Sequence, residues 1–287
     1  MPEVIFNGPS GRLEGRYQQG EDPTSPIALV LHPHPQYGGT MNNKVVYNLY
    51  QVFAARNFSV LRFNFRGVGR SQGNYDGGTG ELSDAAAALD WLQTIAPNAR
   101  GCWIAGFSFG AWISMQLLMR RPEISGFISV SPPANIFDFS FLAPCPSSGL
   151  MLHGTEDDLV PPEDVRKLAD KLSQQRGITV DYQTVSGASH FYDNKLDEMT
   201  EAVGAYIDAA MENVMETQAK VGSRLNVIDG QKMTNEDHLL TTKAAISDLE
   251  DLDYAEAISR MNLQLTGLQA AQQAYSKVQG LSLFNFI

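Results

Sequence analysis

The sequence predicts an α/β fold, a mostly parallel β-sheet wrapped by helices, with a helical tail appended to it. Three observations carry this. From Ile27 to about Ile207 short apolar runs alternate with amphipathic stretches, the pattern of parallel strands joined by crossover helices. Ahead of them, two strand-like runs flank a Pro9-Ser10-Gly11 turn. Near Met211 the character changes: Trp and Pro vanish, Gly becomes rare, and Gln, Leu, Ala and Asp dominate.

The elements follow in order. The runs Val4 to Phe6 and Leu13 to Tyr17 predict an antiparallel hairpin at the sheet edge. Strands are expected at residues 27–32, 59–63, 102–107, 126–131, 149–153 and 179–184. Helices, each with one apolar face, are expected at 43–56, 82–95, 111–120, 163–175 and 196–211. Residues 1–212 then form one domain and 213–287 the tail. In the tail Ile258, Met261, Leu265, Leu268 and Tyr275 fall on one stripe of a long helix with a coiled-coil repeat. Such a stripe needs a partner, and self-association through it is one expectation.

Composition narrows the function. With 43% hydrophobic residues in 287, the chain can bury a sizeable core. Its net charge of -11 repels phosphate backbones and anionic lipid heads, so neither nucleic acid nor membrane is an expected partner. No window reaches the length of a membrane-spanning apolar run, and Met1-Pro2-Glu3-Val4 has neither the basic start nor the apolar stretch of a secretory signal, so the expected location is the cytoplasm. Cys102 and Cys145 lack metal-ligand spacing and read as reduced packing residues.

The chemistry centres on Gly106-Phe107-Ser108-Phe109-Gly110. At ordinary residue frequencies about one chain in ten of this length carries Gly-x-Ser-x-Gly by chance. Context raises it: the motif follows the apolar run at 102–105 and opens an amphipathic one, the strand-turn-helix setting that exposes a serine nucleophile. A serine hydroxyl needs a base. Of the five histidines, His190 lies after the last predicted strand and follows the serine, as the order Ser, acid, His requires. His153 reads as a packing residue and His238 as a solvated tail residue. The acid belongs on the loop after the penultimate strand, where Glu156, Asp157 and Asp158 stand side by side. Spacing leaves Asp157 and Asp158 nearly even.

For the oxyanion, the Phe109 amide is one donor and His34 the other, because its neighbours Pro33 and Pro35 have no N–H. Phe107, Phe109, Trp112, Phe191 and Tyr192 cluster about the site in sequence and are expected to line an apolar acyl pocket. His32-x-His34 could suggest a metal, but no further ligand cluster follows, so no metal and no cofactor is expected. The glycines of 63–73 miss dinucleotide spacing; that loop reads as support for the floor of the site.

These motifs, Leu31 to Pro35 with Gly38-Gly39-Thr40, Phe63 to Ser71, Gly106 to Gly110, His153 to Pro161 and Gly187 to His190, together resemble a bacterial family of small α/β hydrolases. The resemblance spans about residues 1–212. It implies the α/β-hydrolase fold, an eight-stranded, mostly parallel sheet without a large lid, and its His-Gly-x-x-Asp-x-x-Val-Pro pattern selects Asp157 as the acid. The expected activity is hydrolysis of a small-molecule acyl ester.

The tail is similar to something unrelated. Arg224-Leu225-Asn226, the run Asp248 to Ala257, Leu268-Gln269-Ala270-Ala271 and the ending Gln279 to Ile287 resemble the C-terminus of the flagellin family, above all its hook-filament junction proteins. That resemblance implies a fusion whose tail has lost the N-terminal helices it packs against, with a flagellar structural role and location as the alternative function.

Overall fold

A computed structural model describes residues 2–250 and 253–280. The chain divides into two units, Met1–Asn213 and Val214–Ile287.

In the first unit, Pro9 and Ser10 turn the chain between β1 (Glu3–Gly8) and β2 (Gly11–Gln18), which pair antiparallel. The remaining strands are β3 (Ile27–Leu31), β4 (Ser59–Phe63), β5 (Cys102–Phe107), β6 (Ile124–Val130), β7 (Gly149–Gly154) and β8 (Val180–Val185). They form one eight-stranded sheet in the order β1-β2-β4-β3-β5-β6-β7-β8, parallel from β4 to β8. The helices are α1 (Lys44–Ala54), α2 (Thr79–Ile95), α3 (Phe109–Leu118), α4 (Pro162–Ser173), α5 (Leu196–Glu250) and α6 (Tyr254–Gly280).

Strand alternation sorts the core into two layers. Ile27, Leu29 and Leu31 of β3 point to the face covered by α2, α3 and α4, while Ala28 and Val30 point to the face covered by α1 and α5. Met199, Val203 and Ile207, one turn apart on α5, are fully buried against the second face. Cys102 and Cys145 are free and buried. Among the described residues no helix is long and apolar enough to cross a membrane.

Four expectations need correction. The second helix begins at Thr79, not 82, with the Gly78 amide donating to Glu81 Oε2 at 2.7 Å. The sixth strand begins at Ile124, not 126, because Ile124 already pairs with Cys102 across a register shift at Cys102/Trp103. The third helix begins at Phe109, directly after Ser108, not at 111. The fifth runs to Glu250 instead of stopping at 211: without a proline from Leu196 onward, nothing obliges it to end. The unit boundary therefore falls inside α5. In the second unit Asp253 Oδ1 caps α6 by accepting from the Ala255 and Glu256 amides. The stripe Ile258, Met261, Leu265, Leu268 and Tyr275 is exposed along that helix. The expected flagellin-like ending from Leu281 to Ile287, with Asp251 and Leu252, lies outside the described residues.

The loop after β4 is fastened by a buried ion pair. Asp84, fully buried on α2, accepts from the Arg66 amide (3.0 Å), from Nε (2.9 Å) and from Nη2 (2.7 Å). Replacing Asp84 by alanine takes away the carboxylate hydrogen-bonded to the Arg66 guanidinium, leaving the charge of Glu81 and the more distant, exposed Asp76 (3.8 Å), and is expected to cost about 3–5 kcal/mol. Denaturant unfolding measures it. The double variant Arg66→Met with Asp84→Leu is expected to recover part of the loss, because it removes both charges but leaves the Arg66 amide without its acceptor.

Candidate active site

Ser108 sits at the corner between β5 and α3 with φ 53° and ψ −120°, a conformation costly for any residue but glycine. Small neighbours make the corner fit: a Cβ at Gly106 would lie 2.2 Å from the Gly110 carbonyl oxygen. The Ser108 amide is tied to the Val130 carbonyl at 2.9 Å, which leaves its side chain at the carboxyl ends of the parallel strands.

His190 reaches it from the loop after β8. Its Nε2 lies 3.0 Å from Ser108 Oγ, and its Nδ1 lies 2.7 Å from Asp157 Oδ2. Asp157 is buried while Glu156 and Asp158 on either side are exposed, so of the three carboxylates it is Asp157 that meets His190. Asp157 Oδ1 accepts from the Leu159 (2.9 Å) and Val160 (2.8 Å) amides. Burial works against its charge, but the hydrogen bond and charge of His190, with the loop amides, outweigh it and hold the carboxyl below its ordinary range. An ionised Asp157 requires a proton on His190 Nδ1, and Nε2 is then free to accept from the serine hydroxyl. The acid and histidine loops are laced together: the Glu156 amide donates to Ala188 O, and a Cβ at Gly154 would lie 2.3 Å from that same oxygen.

The other histidines have their own employment. His32 is fully buried, accepting at Nε2 from the Phe65 amide (3.0 Å) and donating from Nδ1 to Pro33 O (2.6 Å), and burial pushes its pKa down to about 3. Both ring nitrogens of His32 are thus engaged by backbone. His153, also buried, donates from Nε2 to Val160 O at 2.9 Å. His238 lies exposed on α5.

Ser108 and His190 open on a cavity of about 520 Å³, within the range of small-molecule sites. His34 and Phe109 line it too, and among the described residues neither backbone N–H has an acceptor of its own. Of the other expected lining residues only Phe191 is there. Phe107 is fully buried beside the His190 ring (centroids 5.2 Å) and buttresses it. Tyr192 is buried as a peg for the histidine loop, its OH accepting from Ser131 Oγ at 3.4 Å. Trp112 stacks on Phe137 (4.3 Å), and it is Phe137 that reaches the cavity. Nearness in sequence misled because side chains on both sides of the serine alternate into the core.

Sequence reasoning missed Asn43, Ile136, Phe137, Leu159 and Val160, which reach the cavity from loops and helix starts following β3, β6 and β7. The available signal was positional: in a parallel sheet every such segment opens at the end that carries the site.

The family model described as X-Pro dipeptidyl-peptidase (S15 family) matches residues 18–236, and that of the bacterial flagellin C-terminal helical region matches residues 205–287. A protein of unknown function from Agrobacterium tumefaciens, described as a candidate α/β hydrolase, is similar at 57% identity over 74% of this chain and 97% of its own, with a TM-score of 0.73. A Xanthomonas campestris member of the α/β serine hydrolases without lid is 32% identical over 72% of this chain and 94% of its own, TM-score 0.65. The tail is similar to flagellar hook-associated protein 3 of Escherichia coli, 36% identical over 75 residues, 26% of this chain and 24% of that protein.

Proposed function

The chain belongs to the α/β serine hydrolase family, and on that premise we propose that it is an esterase working through an acyl-enzyme on Ser108. The observation that carries the reading is the unbroken relay from Ser108 Oγ through His190 to Asp157, at 3.0 and 2.7 Å, facing a largely apolar cavity. Ser108 Oγ attacks the acyl carbonyl as His190 Nε2 takes its proton, and Asp157 stabilises the imidazolium. The Phe109 and His34 amides hold the oxyanion. The alcohol leaves with the proton from His190. Water then attacks the acyl-enzyme by the same steps and frees Ser108.

The lining favours an ester over an amino-terminal dipeptide. A dipeptidyl-peptidase must hold a charged amino terminus, yet among the described residues lining the cavity there is no Asp or Glu. Nitrophenyl esters of short, medium and long acyl chains test the proposal. Saturable hydrolysis by the wild type is expected, and rates no higher than buffer across the whole series would contradict it.

A second reading concerns the tail alone. Its match to the flagellin C-terminal region and the exposed stripe on α6 support a contact with flagellin-type helices. The full chain is expected to co-sediment with flagellin-family filaments; recovery in the supernatant rejects that contact. Self-association through the stripe is the companion proposal, and light scattering that returns the single-chain mass of 31.5 kDa rejects it.

A further inference from the structure

Resting on the esterase reading, we infer that Asn43 selects the alcohol half of the substrate. The site then prefers uncharged esters that join an apolar acyl group to an alcohol carrying a second acceptor oxygen, an ether or a hydroxyl.

The cavity lining combines hydrocarbon with a few polar side chains. Ile136, Phe137, Leu159 and Phe191 offer hydrocarbon, and among the described residues lining it there is no Asp, Glu, Lys or Arg. A charged substituent would be desolvated there without compensation. Outside the Ser108–His190 pair, Asn43 is one of three polar side chains in the lining, with His34 and Tyr37. Its Oδ1 caps α1 by accepting from the Val45 amide at 2.9 Å, which fixes the side chain's orientation because an N–H can only donate to the oxygen. Its Nδ2 therefore points elsewhere with both protons, and among the described residues it has no acceptor. His34, whose ring packs against Phe109 (centroids 4.8 Å), also lines the cavity, and its Nδ1 accepts from the Gln36 amide at 3.2 Å. Burial lowers the pKa of His34, so the neutral ring carries its proton on Nε2, a second uncharged donor.

The side on which Asn43 lies follows from the fastening of α1. Lys44, the next residue, pairs with Asp193, which also accepts from Ser189 Oγ at 3.2 Å. The start of α1 is thereby tied to the loop that carries His190. The departing alcohol must take its proton from His190 Nε2, so the alcohol lies on that side. Phe137, in the segment that follows β6, packs against Phe109 (centroids 5.8 Å), and we assign the acyl group to that apolar part of the lining. A plain alkyl alcohol would shield Asn43 Nδ2 from water and give it no acceptor, and an unpaired donor discriminates more strongly than a missing apolar contact.

The test compares kcat/KM for 2-methoxyethyl octanoate and n-butyl octanoate, which differ in an ether oxygen for a methylene. Asn43→Asp keeps the cap and removes the donor; Asn43→Ser keeps the cap and shortens the reach. In both variants the preference for the methoxyethyl ester, as a ratio to the butyl ester, is expected to fall about fivefold, the effect of one neutral hydrogen bond. Intrinsic ester reactivity cancels in that comparison. An unchanged ratio in both variants overturns the inference, and so does hydrolysis of neither ester by a wild type that a fluorophosphonate labels. Failure of the wild type to be labelled counts against the esterase reading, and the inference then falls with it.

Discussion

Replacing Ser108 by alanine is expected to lower kcat for ester hydrolysis by about 10⁶-fold, with what remains over water coming from the oxyanion donors and binding. The side chain is half-buried and, among the described residues, hydrogen-bonds to His190 alone, so nothing in the core depends on it. The positive φ at this position makes the residue itself a source of strain, which alanine retains. Folding is therefore expected to survive, and a thermal melt of the variant close to the wild type separates lost chemistry from lost structure.

Asp157→Asn is expected to cost about 10⁴-fold in kcat by a different route. The Asn side chain would keep its oxygen on the Leu159 and Val160 amides and turn its NH₂ toward His190 Nδ1. Two donors cannot face each other, so the proton moves to Nε2 and the imidazole donates to Ser108 instead of accepting from it. The same carboxyl also sets a pH dependence of stability. Its folded value lies below the ordinary one, so its contribution is full above the unfolded pKa of about 3.9 and is lost as pH falls through the folded value. The stability gap between wild type and Asp157→Asn should hold at neutral pH and close in acid below about pH 4, as urea unfolding across that range would show.

The parallel sheet was legible because its strands are buried on both faces and read as short apolar runs, as residues 59–63 and 102–107 do, and both strands have those bounds. The relay was legible for a related reason. In this topology the serine, acid and histidine follow successive strands, so their order and spacing carry their geometry, and Ser108, Asp157 and His190 come together as that order implies. Asp157 against Asp158 was not decided by spacing, since only the turn at Leu159 and Val160 determines which carboxylate points inward. The cavity wall was illegible for the opposite reason: Asn43, Phe137 and Leu159 are far apart in sequence and share only a place at the same edge of the sheet. The end of α5 was illegible because composition changes at Met211 without any helix-breaking residue.

The proposed ester hydrolysis requires Ser108 to be the nucleophile. Intact-mass analysis after reaction with a fluorophosphonate, followed by peptide mapping, measures that directly. One adduct per chain is expected, on the peptide containing Ser108, and none on Ser108→Ala. An unlabelled wild type, or an adduct that persists in the variant, would contradict it.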